Sequence, residues 1–183
     1  MYRTSVLQTE GGWSTRTLAE DMDLTWTFYQ NGYDVRFIPA AVSYPIEPHN
    51  FNFMRKQLKR WSHGFVQNVQ LHWKGILSVK YLRSMIAVSL WDAVVASFLY
   101  LILLPLLTVV LRNPLLLLGY VIDIPALVVP TIFTAVRRKE TLRLMTSLPA
   151  FFILRTVNGI FMLEALWNEV VRKKSFRVYE KGH

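Results

Sequence analysis

The second half of the sequence is more apolar than the core of an ordinary soluble domain requires. Residues 84–167 are mostly apolar, whereas residues 1–83 mix polar, charged and apolar side chains. A run of about 20 apolar residues is long enough to cross the roughly 30 Å hydrocarbon layer of a bilayer as a helix. We therefore expect a membrane-integrated α-helical part that follows a polar, water-facing part.

Three apolar stretches are candidates for membrane spans. The stretch 85–111 is the clearest, and Asn113-Pro114 predicts a tight turn after it. The stretch 115–136 contains two prolines, which predict kinks. The stretch 145–167 is weaker because it contains charged residues, so whether it crosses the bilayer is left open. The charged residues in these stretches should each face protein, water or a partner charge, and they are Asp92, Asp123, Arg155 and Glu164.

The chain carries a net charge of +9, and its basic residues gather beside the apolar stretches. Clusters of Lys and Arg next to membrane spans mark the cytoplasmic face and contact anionic headgroups, which predicts a plasma-membrane protein with a cytoplasmic polar part. Nucleic-acid binding would also favour a basic chain, but it gives no reason for the apolar spans. The absence of Cys excludes disulfides and thiolate metal sites. The basic clusters are 55–60, 74–83, 137–139 and 172–174.

The polar part predicts loops, helices and a short strand. Paired glycines make 11–16 a loop, and acidic residues favour a helix that begins near Glu20 and ends at the next Asn-Gly pair. Aromatic and β-branched residues that alternate with charged ones predict a strand over 33–38. A second extended piece follows over 40–48, bounded by prolines.

A helix is predicted over 52–71, because apolar residues recur there at the spacing i, i+4, i+7 and i+11. Most of its basic residues fall beside that stripe, which is typical of a helix lying along the membrane interface. Lys56 and Lys59 are expected to contact lipid headgroups, with a contact to substrate as the alternative. Three histidines have no partner at metal-ligand spacing and are expected to be surface or packing residues: His49, His63 and His72.

Gln57, Arg60 and Trp61 form the most chemically specific group on this helix. Residues three and four apart share a helix face, so these side chains should lie together. Arg presents a fork of donors that suits phosphate oxygens, Gln adds neutral donors and acceptors, and Trp offers a flat stacking surface. Such groups suit a nucleotide-sugar diphosphate beside a sugar ring. A basic amphipathic membrane helix would explain the same residues, with Trp61 as an interfacial anchor.

Four motifs follow one another along the chain: Leu18-Ala-Glu-Asp-Met-Asp-Leu24, Asn31-Gly-Tyr33, Phe37-Ile-Pro39 and Gln57-x-x-Arg60-Trp61. In this order they resemble the second half of the processive, membrane-integrated family-two glycosyltransferases, the group of cellulose, chitin, hyaluronan and poly-N-acetylglucosamine synthases. The resemblance implies an α/β fold joined to membrane helices. Residues 1–50 would be the C-terminal part of a GT-A-like domain, 51–83 an interfacial helix, and 84–183 two to three transmembrane helices with a basic tail.

The resemblance also implies catalytic roles for two carboxylates. Asp21 would be the base that takes a proton from the acceptor hydroxyl, and Glu20 would orient it or contact the acceptor. Without the resemblance, these two acids and Asp23 are better explained as first-turn residues that the helix dipole stabilises.

Substrate binding is implied for five residues of this sequence. Gln57 and Arg60 would face the diphosphate of the donor, and Trp61 would stack on the acceptor sugar. Gly12 and Trp13 match the loop that precedes the acidic motif and would line the acceptor site, although a structural turn explains them nearly as well.

A divalent metal, Mg²⁺ or Mn²⁺, is implied for the complete enzyme, where it would share the charge of the diphosphate. Family members hold it with an Asp-x-Asp motif in an earlier, nucleotide-binding half. Only ten residues precede Gly11, so we expect these metal ligands to be absent and this chain to be a truncated or split C-terminal half. As an isolated fragment it is expected to be inactive.

The function implied is that of an inverting glycosyltransferase. It would transfer a sugar from a nucleotide sugar, most simply a UDP-sugar, to a growing polysaccharide at the membrane. One alternative is a non-catalytic membrane subunit or pseudo-enzyme half that needs a separate donor-binding partner. A second is a small transporter-like membrane protein, which gives no reason for the acidic and Gln-x-x-Arg-Trp motifs.

Overall fold

The computed structural model describes residues 2–36, 38, 40–43, 48–121 and 124–176. The chain divides into two compact units. The first comprises Met1–Ser89 with Glu164–His183, and the second comprises Leu90–Leu163. The predicted division at 1–50, 51–83 and 84–183 follows function rather than packing, and it stays a prediction.

The first unit begins with helix α1, Thr4–Thr9, followed by helix α2, Glu20–Gln30. Helix α2 begins where the acidic residues predict, and three acids occupy its first turn. It ends at Gln30 with Asn31 as its C-cap, and Gly32 follows with a φ of 78°, in the left-handed region that glycine tolerates best. The local signals for this helix are therefore confirmed at both ends.

No strand forms among the residues that the structure describes. Residues 33–36 and 38, which cover most of the predicted strand, are irregular. A strand is stable only when a neighbouring strand completes its hydrogen bonds, and the described residues supply no such neighbour. The α/β character of the fold is therefore not confirmed and stays a prediction.

Helix α3, Phe51–Ser78, is longer than the predicted 52–71. Asn50 caps it by accepting a hydrogen bond from the backbone N–H of Phe53. The apolar stripe is only partly buried, since Leu58 and Phe65 are covered whereas Trp61 is 51% exposed. The buried face of the helix also carries an unusual row of polar residues: Ser62, His63, Gln67, Asn68 and His72.

Within the part of the chain that the structure describes, two helical segments are long and apolar enough to cross a membrane, Lys80–Val110 and Thr141–Val171, each of 31 residues. Only 22% and 17% of their most apolar windows are buried by protein, so most of that apolar surface faces outward as lipid contact requires. The first segment consists of helices α4, Lys80–Leu90, α5, Ala96–Phe98, and α6, Leu104–Val110, joined by the π-helical turns Trp91–Val95 and Leu99–Leu103.

The second predicted span, 115–136, is not a single membrane-crossing helix in the described part of the chain. It consists of a 3₁₀ helix, Pro114–Val121, and helix α7, Ile124–Arg138, which contains Pro130. At the usual rises these pieces are about 16 Å and 22 Å long, so neither alone crosses a layer of roughly 30 Å.

The third predicted stretch, 145–167, is a continuous helix, in contrast to 115–136. It lies within helix α8, Thr141–Leu166, which continues into a π-helical turn, Trp167–Val171. Charged residues weakened the sequence signal there, but in the structure they have partners. Arg155 donates to Asp92 at 3.1 Å within the second unit. Glu164 accepts from Lys59 at 2.6 Å within the first unit.

The expectation that charges in apolar stretches find partners is therefore confirmed for Asp92, Arg155 and Glu164. Asp123 lies outside the described residues. Lys59 requires a correction, because its ammonium group pairs with Glu164 and lies 5.1 Å from the ring centre of Phe176 instead of being left for lipid headgroups. A carboxylate at hydrogen-bond distance is a stronger partner than an exchangeable headgroup.

Candidate functional site

The loop before the acidic motif is docked against the middle of helix α3. The side-chain amide of Asn68 donates to the carbonyl oxygen of Ala19 at 3.1 Å and to the hydroxyl of Thr17 at 3.3 Å. The backbone N–H of Leu18 donates to Gln67 Oε1 at 3.0 Å. These contacts are buried or part-buried, so water does not compete freely for them.

Gly64 makes this docking sterically possible. A Cβ atom at Gly64 would lie 2.7 Å from the Cβ of Ala19 and 2.9 Å from its backbone nitrogen. No larger residue therefore fits there unless the loop moves away from the helix. Gly64 follows Arg60 by four residues, which places the docked loop about 6 Å farther along the helix axis and on nearly the same face as Arg60.

Asp21 and Glu20 stand at the start of helix α2, immediately after the docked Ala19. Asp21 is exposed, and its Oδ1 accepts a hydrogen bond from the backbone N–H of Met22 at 2.8 Å. Glu20 is half-buried. A base must be reachable by its substrate, and the exposed Asp21 carboxylate meets that requirement. The dipole of α2 also stabilises both carboxylates, so the two explanations of these acids are compatible.

The Gln-x-x-Arg-Trp residues lie in the N-terminal half of α3. Gln57 and Arg60 are half-buried, and Trp61 is half-exposed. One helical turn separates Gln57 from Arg60, so both can face one ligand. The structure thus places the acidic motif and this motif at neighbouring positions along α3, but the roles of the individual residues stay predictions.

Gly12 and Trp13 belong to the loop that leads toward the acidic motif. Gly11 and Gly12 both have a positive φ, of 77° and 79°, and the N–H of Gly12 donates to the carbonyl oxygen of Leu7 at 2.8 Å. Trp13 is 49% exposed and packs edge-on against Tyr2, with ring centres 5.3 Å apart. A turn that closes α1 accounts for the glycines, while the exposed face of Trp13 leaves room for a sugar ring.

Sequence reasoning did not single out Asp23, whose buried carboxylate accepts three short hydrogen bonds. Its two carboxylate oxygens accept from the Nε and Nη2 atoms of Arg16, each at 2.8 Å. The Nε2 atom of His72 lies 2.6 Å from Asp23 Oδ1, and the Asp23 side chain is only 2% exposed. Burial by itself raises the pKa of Asp23, but the hydrogen bonds from His72 and Arg16 outweigh it and lower the pKa from 3.8 to about 2.

Asp21 and Asp23 also have the Asp-x-Asp spacing that can hold a divalent metal, so the fit of a metal to this pair can be judged from their surroundings. Both oxygens of Asp23 are already bound by cationic or ring N–H donors, whereas Asp21 points to solvent. Among the described residues no group of three His, Cys, Asp or Glu side chains is arranged to hold a metal ion. This pair therefore does not fit a metal, and no step is derived from one.

A second buried network joins α3 to the C-terminal segment. Glu169 Oε1 lies 2.7 Å from His63 Nδ1, 2.9 Å from Gln67 Nε2 and 3.0 Å from the backbone nitrogen of Phe176. His63 and His72 are thus buried packing residues, as one reading of the sequence expects, but each also contacts an acid far away in sequence. The same network orients Gln67, whose other end holds Leu18 of the docked loop.

A cavity of about 340 Å³ opens between the docked loop and the C-terminal segment. Its walls are polar and basic, formed by Arg16, Thr17, Gln67, Gln70, Leu71, Glu169, Lys173 and Ser175. None of the seven residues predicted for catalysis or substrate binding lines this cavity. It is therefore not the predicted acceptor site.

The lowered pKa of Asp23 makes a prediction about stability. The ionised carboxylate is stabilised in the folded state, so its contribution is complete above about pH 4 and is lost as the pH falls toward about 2. The shift from 3.8 to about 2 corresponds to roughly 2 kcal/mol. We expect Asp23→Asn to lower the unfolding free energy at pH 7 and to flatten its dependence between pH 4 and pH 2. Denaturant titrations of the solubilised protein would measure both effects.

Asp34 provides the matched control for this measurement. It pairs with Arg36 at 2.7 Å, but both side chains are largely exposed, and exposed ion pairs contribute little to stability. Asp34→Asn should therefore leave the same pH dependence unchanged. If Asp23→Asn and wild type lost stability equally between pH 4 and pH 2, the Asp23 network would not be the source.

Comparison with known proteins identifies the family. Residues 1–137 match the family described as "Glycosyl transferase family group 2", and this range contains the acidic motif and the Gln-x-x-Arg-Trp motif. The chain is 40% identical over 62 residues to the probable glycosyltransferase YdaM of Bacillus subtilis (strain 168), covering 34% of the chain and 15% of the relative. It is 39% identical over 72 residues to the uncharacterized glycosyltransferase YaiP of Escherichia coli (strain K12), covering 39% and 18%.

A more distant relative has a named product. The chain is 27% identical over 64 residues to the poly-beta-1,6-N-acetyl-D-glucosamine synthase of Staphylococcus aureus (strain COL), covering 35% of the chain and 16% of the synthase. The matched segments thus span less than a fifth of the length of these relatives. No solved structure matches the chain. Because the family match covers most of its 183 residues, the chain belongs to glycosyl transferase family group 2.

Proposed function

We propose that this chain contributes the base and the membrane part of an inverting glycosyltransferase that extends a polysaccharide from a nucleotide sugar, in the first instance a UDP-sugar. The observation that carries the proposal is the docking of the acidic-motif loop onto α3. Gly64, Gln67 and Asn68 hold Leu18 and Ala19 beside the Gln-x-x-Arg-Trp helix, while Asp21 remains exposed. Family membership and the named product of the staphylococcal synthase support the same substrate class.

In the proposed reaction, Asp21 accepts the proton of the acceptor hydroxyl as its oxygen forms a bond to the anomeric carbon of the donor. The bond from that carbon to the diphosphate oxygen breaks, and the diphosphate leaves with its electron pair. Attack from the side opposite the leaving group inverts the anomeric centre, so an α-linked donor gives a β-linkage. A carboxylate suits this role because the hydroxyl becomes acidic only as the new bond forms.

Arg60 and Gln57 have the matching role toward the leaving group. The guanidinium fork of Arg60 would bind two diphosphate oxygens, and the Gln57 amide would add one neutral hydrogen bond. Trp61 is half-exposed, so its ring can lie against the apolar face of the acceptor sugar. A divalent metal, where bound, would share the charge of the diphosphate, and its ligands would lie outside the described residues.

The proposal places the polar unit on the cytoplasmic side, where basic clusters beside the spans favour it. Donor binding would be completed by a region outside these 183 residues, which is consistent with the small share of each relative that the chain covers. The lipid bilayer and the growing polysaccharide are the other proposed partners.

Transfer of radiolabelled sugar provides the test. Membranes that contain the full-length enzyme carrying these residues are incubated with a panel of labelled nucleotide sugars, and label in high-molecular-weight product is counted. We expect one donor of the panel, a UDP-sugar, to label the product. If no donor is used, with an active family member as the assay control, the proposal fails and the chain is better explained as part of a non-catalytic membrane subunit.

A further inference from the structure

Four side chains from three parts of the first unit form a continuous hydrogen-bonded row behind the acidic motif: Arg16, Asp23, His72 and Gln30. We propose that His72 is a positioning residue that fixes the Asp21 carboxylate through Asp23. This inference rests on the proposed function, because it takes Asp21 as the base. His72 lies on α3, Asp23 and Gln30 lie on α2, and Arg16 lies in the loop between α1 and α2.

Both ring nitrogens of His72 form hydrogen bonds within this row. Gln30 Nε2, which can only donate, lies 2.9 Å from Nδ1, so Nδ1 is the acceptor. The ring hydrogen then resides on Nε2, which donates to Asp23 Oδ1 at 2.6 Å. Trp26 packs edge-on against the ring with centres 5.8 Å apart. The orientation and tautomer of His72 are therefore set from three sides.

Asp21 is held between two anchors. On one side Ala19 is bound by Asn68 and packed against Gly64, and on the other side Asp23 is bound by Arg16 and His72. The backbone N–H of Asp23 also donates to the carbonyl oxygen of Ala19 at 3.0 Å, which closes the first turn of α2 around Asp21. The exposed Asp21 side chain bonds to the neighbouring Met22 N–H and has no buried partner among the described residues, so its position depends on these two anchors.

Holding Asp21 in place matters because the rate of proton transfer depends steeply on the position of the base. A base displaced by about 1 Å from a productive position can lower the rate by roughly 10²-fold. Side chains at functional sites are held in place by surrounding hydrogen bonds of this kind. His72 is 5% exposed, so it does not reach the substrate, and it acts through Asp23 rather than as a catalytic residue.

The test compares two substitutions of His72 in the full-length enzyme in membranes. His72→Leu removes the donor to Asp23, whereas His72→Gln keeps an N–H donor near the position of Nε2. We expect His72→Leu to lower kcat about tenfold to 10²-fold per folded enzyme, with the KM for the nucleotide sugar changed by less than about twofold. His72→Gln should recover most of the lost kcat. A purely structural role would lower the amount of folded enzyme and leave its kcat unchanged.

Leu82→Ala is the control for stability, because it truncates a fully buried apolar side chain of the first unit that has no part in the hydrogen-bonded row or in the docking of the acidic-motif loop. It should reduce the folded amount without the loss of kcat. Should His72→Leu not accumulate, Gln30→Leu tests the same row and should lower kcat severalfold at constant KM. The proposal is overturned if kcat per folded enzyme is within twofold of wild type in the variant measured, or if His72→Gln is as slow as His72→Leu.

Asp21→Asn, measured in parallel, distinguishes a failure of the positioning role of His72 from a failure of the assignment of Asp21 as the base. If Asp21→Asn abolishes transfer while His72→Leu keeps its kcat, only the positioning role is wrong. If Asp21→Asn retains transfer, the assignment of the base is wrong and the positioning role falls with it.

Discussion

Asp21→Asn should abolish sugar transfer in the full-length enzyme and leave UDP binding nearly intact. A base acts on the proton that moves in the transition state, so its loss lowers kcat rather than the affinity for the donor. General-base catalysis typically contributes about 10²–10⁴-fold, and we expect a loss of that size. Initial rates of radiolabelled transfer, compared with equilibrium binding of UDP, would measure the two effects separately.

Asp21→Asn should change the chemistry of the site without disturbing the fold. The Asp21 side chain is exposed and accepts a hydrogen bond from the N–H of the adjacent Met22, so the amide should not unfold the protein. Glu20→Gln is the neighbouring control and should have a smaller effect, because the role proposed for Glu20 is to orient Asp21 or to contact the acceptor and not to take the proton. Transfer by Asp21→Asn within about tenfold of wild type, worth only ~1.4 kcal/mol of barrier, would mean that the base lies elsewhere.

The sequence predicted those parts of the site that depend on local signals. The start of α2 at Glu20 and its end before Gly32 follow from first-turn acids and a glycine with positive φ. Local signals do not predict the environment of Asp23. Three of the four residues 20–23 are acidic, and nothing in the local sequence shows which of them is buried. Only tertiary contact with His72, 49 residues away, separates the buried Asp23 from the exposed Asp21.

The membrane spans show the same limit. Hydropathy alone predicted 115–136 as a better membrane span than 145–167. A hydropathy sum treats every charged residue as unfavourable in a bilayer, whether or not that residue has a partner of opposite charge. Arg155 has Asp92 as a partner, and Glu164 has Lys59, which removes much of that cost. The described helices reverse the order, since α8 with the turn after it is long and apolar enough to span a membrane, whereas the earlier stretch contains a 3₁₀ helix and the shorter α7.

Arg60→Ala should impair transfer by roughly 10²-fold or more, and Arg60→Lys should restore little of it. Loss of a donor that stabilises developing charge typically costs about 10²–10³-fold in rate. Lysine supplies the same charge but only a point donor, which does not replace a planar fork on two diphosphate oxygens. Transfer rates at saturating donor and acceptor, with protein amounts normalised in each membrane preparation, provide the measurement.

Substitutions of two lysines on the same helix test whether Arg60 contacts the diphosphate or only anchors the helix to the membrane. Lys56→Ala should have a mild effect, because a headgroup contact contributes only about 1 kcal/mol and lipids are exchangeable partners. Lys59→Ala breaks the ion pair with Glu164, so it should lower stability more than rate, and Glu164→Gln should reproduce its effect. A helix that only anchors the protein would give a different pattern: Arg60→Ala and Lys56→Ala would weaken transfer equally, and added anionic lipid would restore both. That result would remove Arg60 from the site and leave the Gln-x-x-Arg-Trp motif without a chemical role.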